Sequence, residues 1–163
     1  MIDGIGKEYN DDLTDFLEWY LKESPPISIP RGTPPVYFVE KVTGVVIYRK
    51  YPFQVQLFTV EPSGVIPAHH HPNVDSYEVS LWGVYFYIYE GGEKLGIHPN
   101  IMRQQGHAIR VLPEADHGAK ASHAGGCFLS IQKWLNDVPA SSVGNDWVGK
   151  ETMGDSHTAQ LIN

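Results

Sequence analysis

The sequence predicts an all-β domain, a barrel or sandwich, preceded by one helix. Two patterns point there. From Val36 onward, short runs rich in Val, Ile, Tyr and Phe are broken by Gly, Pro and Asn at intervals of about eight to twelve residues, as expected of many short strands joined by turns. Before Val36 a single stretch spaces its apolar residues at the helical period instead. Length sets the scale. The chain has 163 residues, 42% hydrophobic and 12% aromatic, which supplies one sizeable core and is short for two domains.

The helix is expected over residues 11–23, DDLTDFLEWYLKE, where Leu13, Phe16, Leu17, Tyr20 and Leu21 make one apolar stripe. Asn10 or Asp11 can cap it, early acids suit its positive end, and Pro25-Pro26 stop it. Residues 24–35, SPPISIPRGTPP, hold five prolines, which remove amide donors and impose an extended path. Residues 1–35 therefore read as a helix and arm wrapped on the domain. Strands are expected at 36–41, 44–50, 53–61, 65–71, 76–82, 84–90, 94–97, 107–112, 117–122 and 126–134. In VYFYIYE the tyrosines Tyr85, Tyr87 and Tyr89 share one face, while Val84, Phe86 and Ile88 share the other. The barrel thus spans 36–135. Residues 136–163 are polar and Gly-containing and are expected to be irregular, with Trp147 docking the tail on the barrel or on a partner subunit.

A formal net charge of -7 and a pI near 5.5 argue against nucleic acid or an anionic membrane as partner, since both would be repelled. The opening residues, MIDGIGKEYNDD, lack a charged segment followed by an apolar run, and no apolar stretch has the length of a membrane span. A cytoplasmic protein is expected. The single cysteine, Cys127, lies in the apolar run CFLSI and reads as a buried structural thiol.

The chemistry is expected in residues 64–83, GVIPAHHHPNVDSYEVSLWG. His69 and His71 are two apart, so on an extended segment both imidazoles face one way and reach one metal ion, while His70 points away. Asp75 and Glu78 follow closely, and nitrogen and oxygen donors in this grouping suit a divalent metal. A further ligand must come from a distant strand. His117 is the best candidate, because it ends GHAIRVLPEADH, where Gly106 opens a strand, Pro113 starts a turn and His117 begins the next strand. His98, His107, His123 and His157 read as ordinary histidines, with His123 held in reserve as a ligand.

Over roughly residues 53–134 the chain resembles the cupin superfamily, small barrels marked by two motifs. Gly64, His69-x-His71 and Gly83 match the first motif, and Gly106, Pro113 and His117 match the second. The resemblance implies a double-stranded β-helix, or jelly-roll, barrel around one divalent ion (Fe, Mn, Ni or Zn). The departures matter. Ser76 stands where the family has a glutamate ligand, no glycine follows Pro113, and no asparagine follows His117. Side-chain parity with Ser76 favours Glu78 as the acid. Spacing from His71 and the apolar set Tyr77, Val79 and Leu81 favour Asp75. A site of three histidines without a protein acid is the remaining alternative.

Such a site leaves coordination positions for a small-molecule substrate and suits a dioxygenase-like or isomerase-like enzyme. Gln56, Tyr85, Arg110, Gln132 and Trp134 are expected, by strand position, to line the substrate site. Arg110 is placed to hold a carboxylate. The alternative is a non-catalytic module that binds a small molecule or serves assembly. No Ser-His-Asp triad, phosphate-binding Gly-rich loop or CxxC ribbon is recognisable. A homodimer is implied by the resemblance, with arm and tail available to cross between subunits.

Overall fold

The computed structural model describes residues 11–23, 36–90, 93–95, 107–137 and 142–144. The described elements are α1 (Asp12–Glu23), β1 (Val36–Val39), β2 (Val42–Lys50), β3 (Phe53–Val60), β4 (Val65–His70), β5 (Val74–Trp82), β6 (Val84–Glu90), β7 (Glu93–Leu95), β8 (His107–Val111), β9 (Asp116–Ala121), β10 (Gly126–Trp134) and β11 (Val143–Gly144). The expected all-β architecture with one helix is met. The helix begins where Asp11 caps it, accepting Thr14 N at 3.0 Å and Thr14 Oγ1 at 2.8 Å. The strands fall within two residues of their expected starts, except that β11 lies in the tail expected to be irregular. Trp147 and the proline-rich stretch 24–35 lie outside the described residues.

The strands form two antiparallel sheets, one in the order β1-β2-β3-β10-β5-β8 and the other β11-β4-β9-β6-β7. From β3 to β6, and again from β8 to β10, each strand lies in the opposite sheet to the one before it. This winding brings segments far apart in sequence face to face. Among the described residues no helix is long and apolar enough to cross a membrane.

Among the described residues two large apolar clusters form, one on each face of the longer sheet. Between the sheets, Phe58, Phe128, Ile109 and Val111 meet Ile66, Val84, Phe86 and Ala119. On the outer face, Leu13, Phe16, Leu17 and Tyr20 of α1 cover Val55, Tyr77, Val79, Leu129 and Ile131. The middle strands β3, β5 and β10 are therefore buried on both sides.

Their inward positions are not all apolar. Glu78 is paired with Ile109 and Ser130, and Ser76 with Val111 and Gln132. Directly opposed residues share a face, so these side chains point between the sheets with Ile109 and Val111. Gln54, Gln56, Ser76, Glu78, Ser130 and Gln132 are all buried. They occupy the end of the barrel where β4 passes into β5, and the apolar cluster fills the rest.

The chain crosses between sheets at Gly83, which has φ 66°. A Cβ there would collide with the carbonyl oxygen of Gly125. Both the backbone conformation and the space require glycine. Gly83→Ala is expected to lower stability by more than about 1 kcal/mol, measured as a lower denaturation midpoint with unchanged slope.

Candidate metal centre

His69 and His117 are opposed across the β4–β9 ladder, with Ile66 opposite Ala119 further along. Three residues of β4 thus match two of β9, a bulge of one residue at Pro67 and Ala68. Simple alternation would turn Ile66 and His69 to opposite faces. The bulge restores His69 to the inner face, beside His117. His71 follows two residues later, just past the strand end. Ligand nitrogens of His69, His71 and His117 lie within 4.8 Å of one another. The ring centroids are 4.9 Å apart for His69 and His71, 4.2 Å for His69 and His117, and 5.2 Å for His71 and His117.

Each ring is oriented through Nδ1. His69 Nδ1 is 2.8 Å from the carbonyl of Pro67, and His117 Nδ1 is 2.8 Å from that of Ala115. A carbonyl only accepts, so each Nδ1 carries the proton and each Nε2 keeps its lone pair. His71 Nδ1 lies 3.2 Å from Oγ of Ser142. Such outer hydrogen bonds fix tautomer and ring orientation in metal sites.

The electrostatics agree. Burial, together with neighbouring His117 and His71, holds His69 well below the usual imidazole range. Burial likewise holds His117 down at about 4. Both rings are neutral at physiological pH, the form that ligates. Three converging imidazoles, two of them buried and neutral, fit a divalent ion.

Among the described residues no carboxylate oxygen joins the group. Glu78 instead accepts Ser76 Oγ at 3.0 Å and Ser130 Oγ at 2.9 Å, both on Oε1. Burial pushes its carboxyl up to about 7, against the lowering effect of the two hydroxyls. Asp75 faces the opposite way, under α1, where Arg110 Nε and Nη2 donate to its two oxygens at 2.6 Å each. The expectation that Arg110 would hold a substrate carboxylate is corrected here. Its guanidinium, on the helix side of the sheet, holds Asp75 and Asp11 of its own chain.

Gln56, Gln132 and Trp134 face the barrel interior. Gln132 Nε2 donates to Gln56 Oε1 at 2.8 Å and to Ser130 Oγ at 3.0 Å, and Gln132 Oε1 accepts Gln54 Nε2 and Trp134 Nε1. Tyr85 does not line it. It is opposite Lys120, out of phase with Phe86 and Ala119, so it lies on the outer face. His70 also points outward, to Asp116 at 3.0 Å, and His123 is exposed in a turn. His98 and His157, like Gly106, lie outside the described residues. Sequence reasoning missed Gln54, Ser130, Arg49 and Ser142. Arg49 lies over the Trp134 ring at 3.7 Å and donates to Gln54 at 3.1 Å. The period-two run Gln54-x-Gln56 carried a signal for the first of these.

No family model matches the chain, and no curated protein matches it in sequence. Solved structures do. KdgF from Halomonas sp. aligns at 15% identity with a TM-score of 0.53, over 69% of this chain and 96% of that one. An RmlC-like cupin from Shewanella frigidimarina aligns at 15% identity and 0.52, over 70% and 95%. The 11S allergen of Cocos nucifera aligns at 16% identity and 0.57, over 73% of this chain and 34% of that one. The chain has the cupin fold.

Proposed function

We propose that this cupin-fold chain is a metal-dependent enzyme that acts on a small, oxygen-bearing organic molecule at an ion held by His69, His71 and His117. The observation that carries this reading is the convergence of three imidazoles whose Nδ1 atoms are already engaged, two of them by carbonyls of their own strand region. A ferrous, manganese, nickel or zinc ion there supplies either a position for dioxygen or a Lewis acid for a carbonyl or enolate. The protein residues do the rest. Gln132 and Trp134, whose polar atoms are engaged with each other and with Gln54, Gln56 and Ser130, form a fixed wall on the same interior face that limits how a substrate can sit.

Glu78 is the group suited to move a proton. Both serine hydroxyls donate to Oε1, and among the described residues no side chain engages Oε2. When protonated, Glu78 therefore carries its hydrogen on Oε2, and a carboxyl with a pKa of about 7 gives or takes a proton near neutrality. This assigns Glu78 to proton transfer and leaves the ion to the histidines.

Elemental analysis tests both assignments. Purified protein is expected to carry close to one divalent ion per chain, and absence of an ion with no uptake on reconstitution would overturn the reading. Glu78→Gln is expected to keep the ion and lose turnover by roughly 10²-fold or more. Turnover is read as dioxygen consumption, or as isomerisation, across a panel of small carbonyl compounds and aromatic acids. Loss of the ion in Glu78→Gln would instead make Glu78 its fourth ligand.

A further inference from the structure

The three candidate ligands are not held alike. His69 and His117 are oriented by carbonyls two residues earlier, so the barrel alone sets them. His71 lies beyond the last residue of β4, where the sheet no longer dictates its side-chain direction. Its Nδ1 lies 3.2 Å from Ser142 Oγ, across a sequence separation of 71 residues. Ser142 is only 1% exposed, although it belongs to the tail after the last barrel strand. It is carried there by β11, which pairs Val143 with His70 and Gly144 with His69 on the outer edge of β4. Residues 142–144 thus lie directly along the strand that bears His69 and leads into His71.

We infer that residues 142–144 are a strap that completes the ion site, with Ser142 as the positioning residue for His71. The inference rests on reading the three histidines as an ion site. Its physical content is simple. A ring that donates Nδ1–H to Ser142 Oγ keeps its lone pair on Nε2 and is held against rotation. Without that bond the ring is held less firmly, ion binding must supply more of its ordering, and affinity falls. The coupling runs both ways. Whatever factor the docked strap adds to ion affinity, the bound ion must add to strap docking.

The test uses the full chain and Co²⁺, followed by its visible absorption. Ser142→Ala is expected to weaken Co²⁺ binding by roughly 10–100-fold. Its ion-free denaturation midpoint should change little by comparison. In a His71→Ala background the same substitution is expected to add nothing, because its effect passes through His71. Amide exchange supplies a second readout. Saturating Zn²⁺ is expected to slow exchange at Val143 and Gly144 in the wild-type chain, and to slow it less in Ser142→Ala.

Wild-type binding of Co²⁺ with equal affinity in Ser142→Ala would overturn the strap and leave the ion site standing. Exchange at Val143 and Gly144 that ignores Zn²⁺ would overturn the coupling. A wild-type chain that takes up no Co²⁺ would remove the ion site and the strap together.

Discussion

His117→Ala is expected to abolish ion binding and to leave the barrel folded. An ion held there would lose a donor on β9 that no neighbour replaces, since among the described residues only His69 and His71 share the group. Two imidazoles two residues apart bind a divalent ion far more weakly than three that converge, and a loss of about 10³-fold or more is expected by isothermal titration with Zn²⁺. The fold survives because the apolar clusters are built from other side chains. Removing a buried ring and its bond to Ala115 costs about 1–3 kcal/mol.

The same variant carries a pH signature. In the unfolded chain His117 protonates near 6.5, whereas in the fold burial holds it at about 4. As pH falls through 6.5 the unfolded chain takes up a proton that the folded chain refuses, so stability falls until about pH 4. Glu78 has the opposite sign. Its folded carboxyl sits at about 7 against 4.5 unfolded, so its contribution is present below 4.5 and is lost as pH rises through 7. The two overlap in one window, and wild type alone does not separate them. The difference between wild type and His117→Ala does. The variant's deficit is expected to narrow as pH drops from 7.5 to 5, measured by urea denaturation at each pH. A deficit that stays constant would show that His117 is not held neutral by burial.

The fold was legible because strands and turns are written locally. Val/Ile/Tyr/Phe runs between Gly, Pro and Asn mark the strand positions, and the expected starts lie within two residues of the observed ones. His69, His71 and His117 were legible because their residue type is informative without geometry. The acid was harder, for a specific reason. Tyr77, Val79 and Leu81 were read as the core face of β5, which would turn Asp75 inward with them. That face is indeed buried, but under α1, and the barrel interior receives Ser76, Glu78 and Ser80. A strand covered on both sides cannot be oriented from its apolar residues alone. The same inversion hid Gln54 on β3 and Ser130 on β10, which look solvent-facing in sequence and are buried between the sheets. The bulge at Pro67 and Ala68 had one local signal, a proline inside a strand run, which marks an edge, a first position or a bulge without choosing among them. Ser142 was beyond reach for another reason. Its partner lies 71 residues away, and a single serine in a polar tail carries no pattern.

Arg110→Ala is expected to cost about 3 kcal/mol of stability, because one guanidinium organises the attachment of α1 to the sheet. Its side chain is 6% exposed, with Asp75 at 18% and Asp11 at 40%. Two bonds of 2.6 Å run to Asp75, one of 2.8 Å and one of 3.3 Å to Asp11, and one of 3.0 Å to Tyr77 Oη. Tyr77 Oη is in turn 2.8 Å from Thr14 Oγ1 on the helix. Deleting one partner of a buried pair costs about 3–5 kcal/mol, mostly through the charge left behind. The exposure of Asp11 lets water repair part of that loss, which places the expectation at the lower end. For a domain of this size the melting temperature falls by about 10 °C. Arg110→Lys keeps the charge but not the planar fork that engages two carboxylates, so it should recover only part of the loss. The sign with pH is fixed by Asp11. Its bond to Arg110 holds its carboxyl well below the ordinary value of 3.8, so its stabilisation is present above that value and is lost as pH falls below it. The gap between wild type and Arg110→Ala is therefore expected to hold from pH 7 to about 4 and to close under stronger acid. Denaturant titration across that range measures it. A gap under about 0.5 kcal/mol at pH 7 would mean that desolvation of Arg110 cancels its bonds, leaving the apolar stripe of Leu13, Phe16, Leu17 and Tyr20 as the main attachment of the helix.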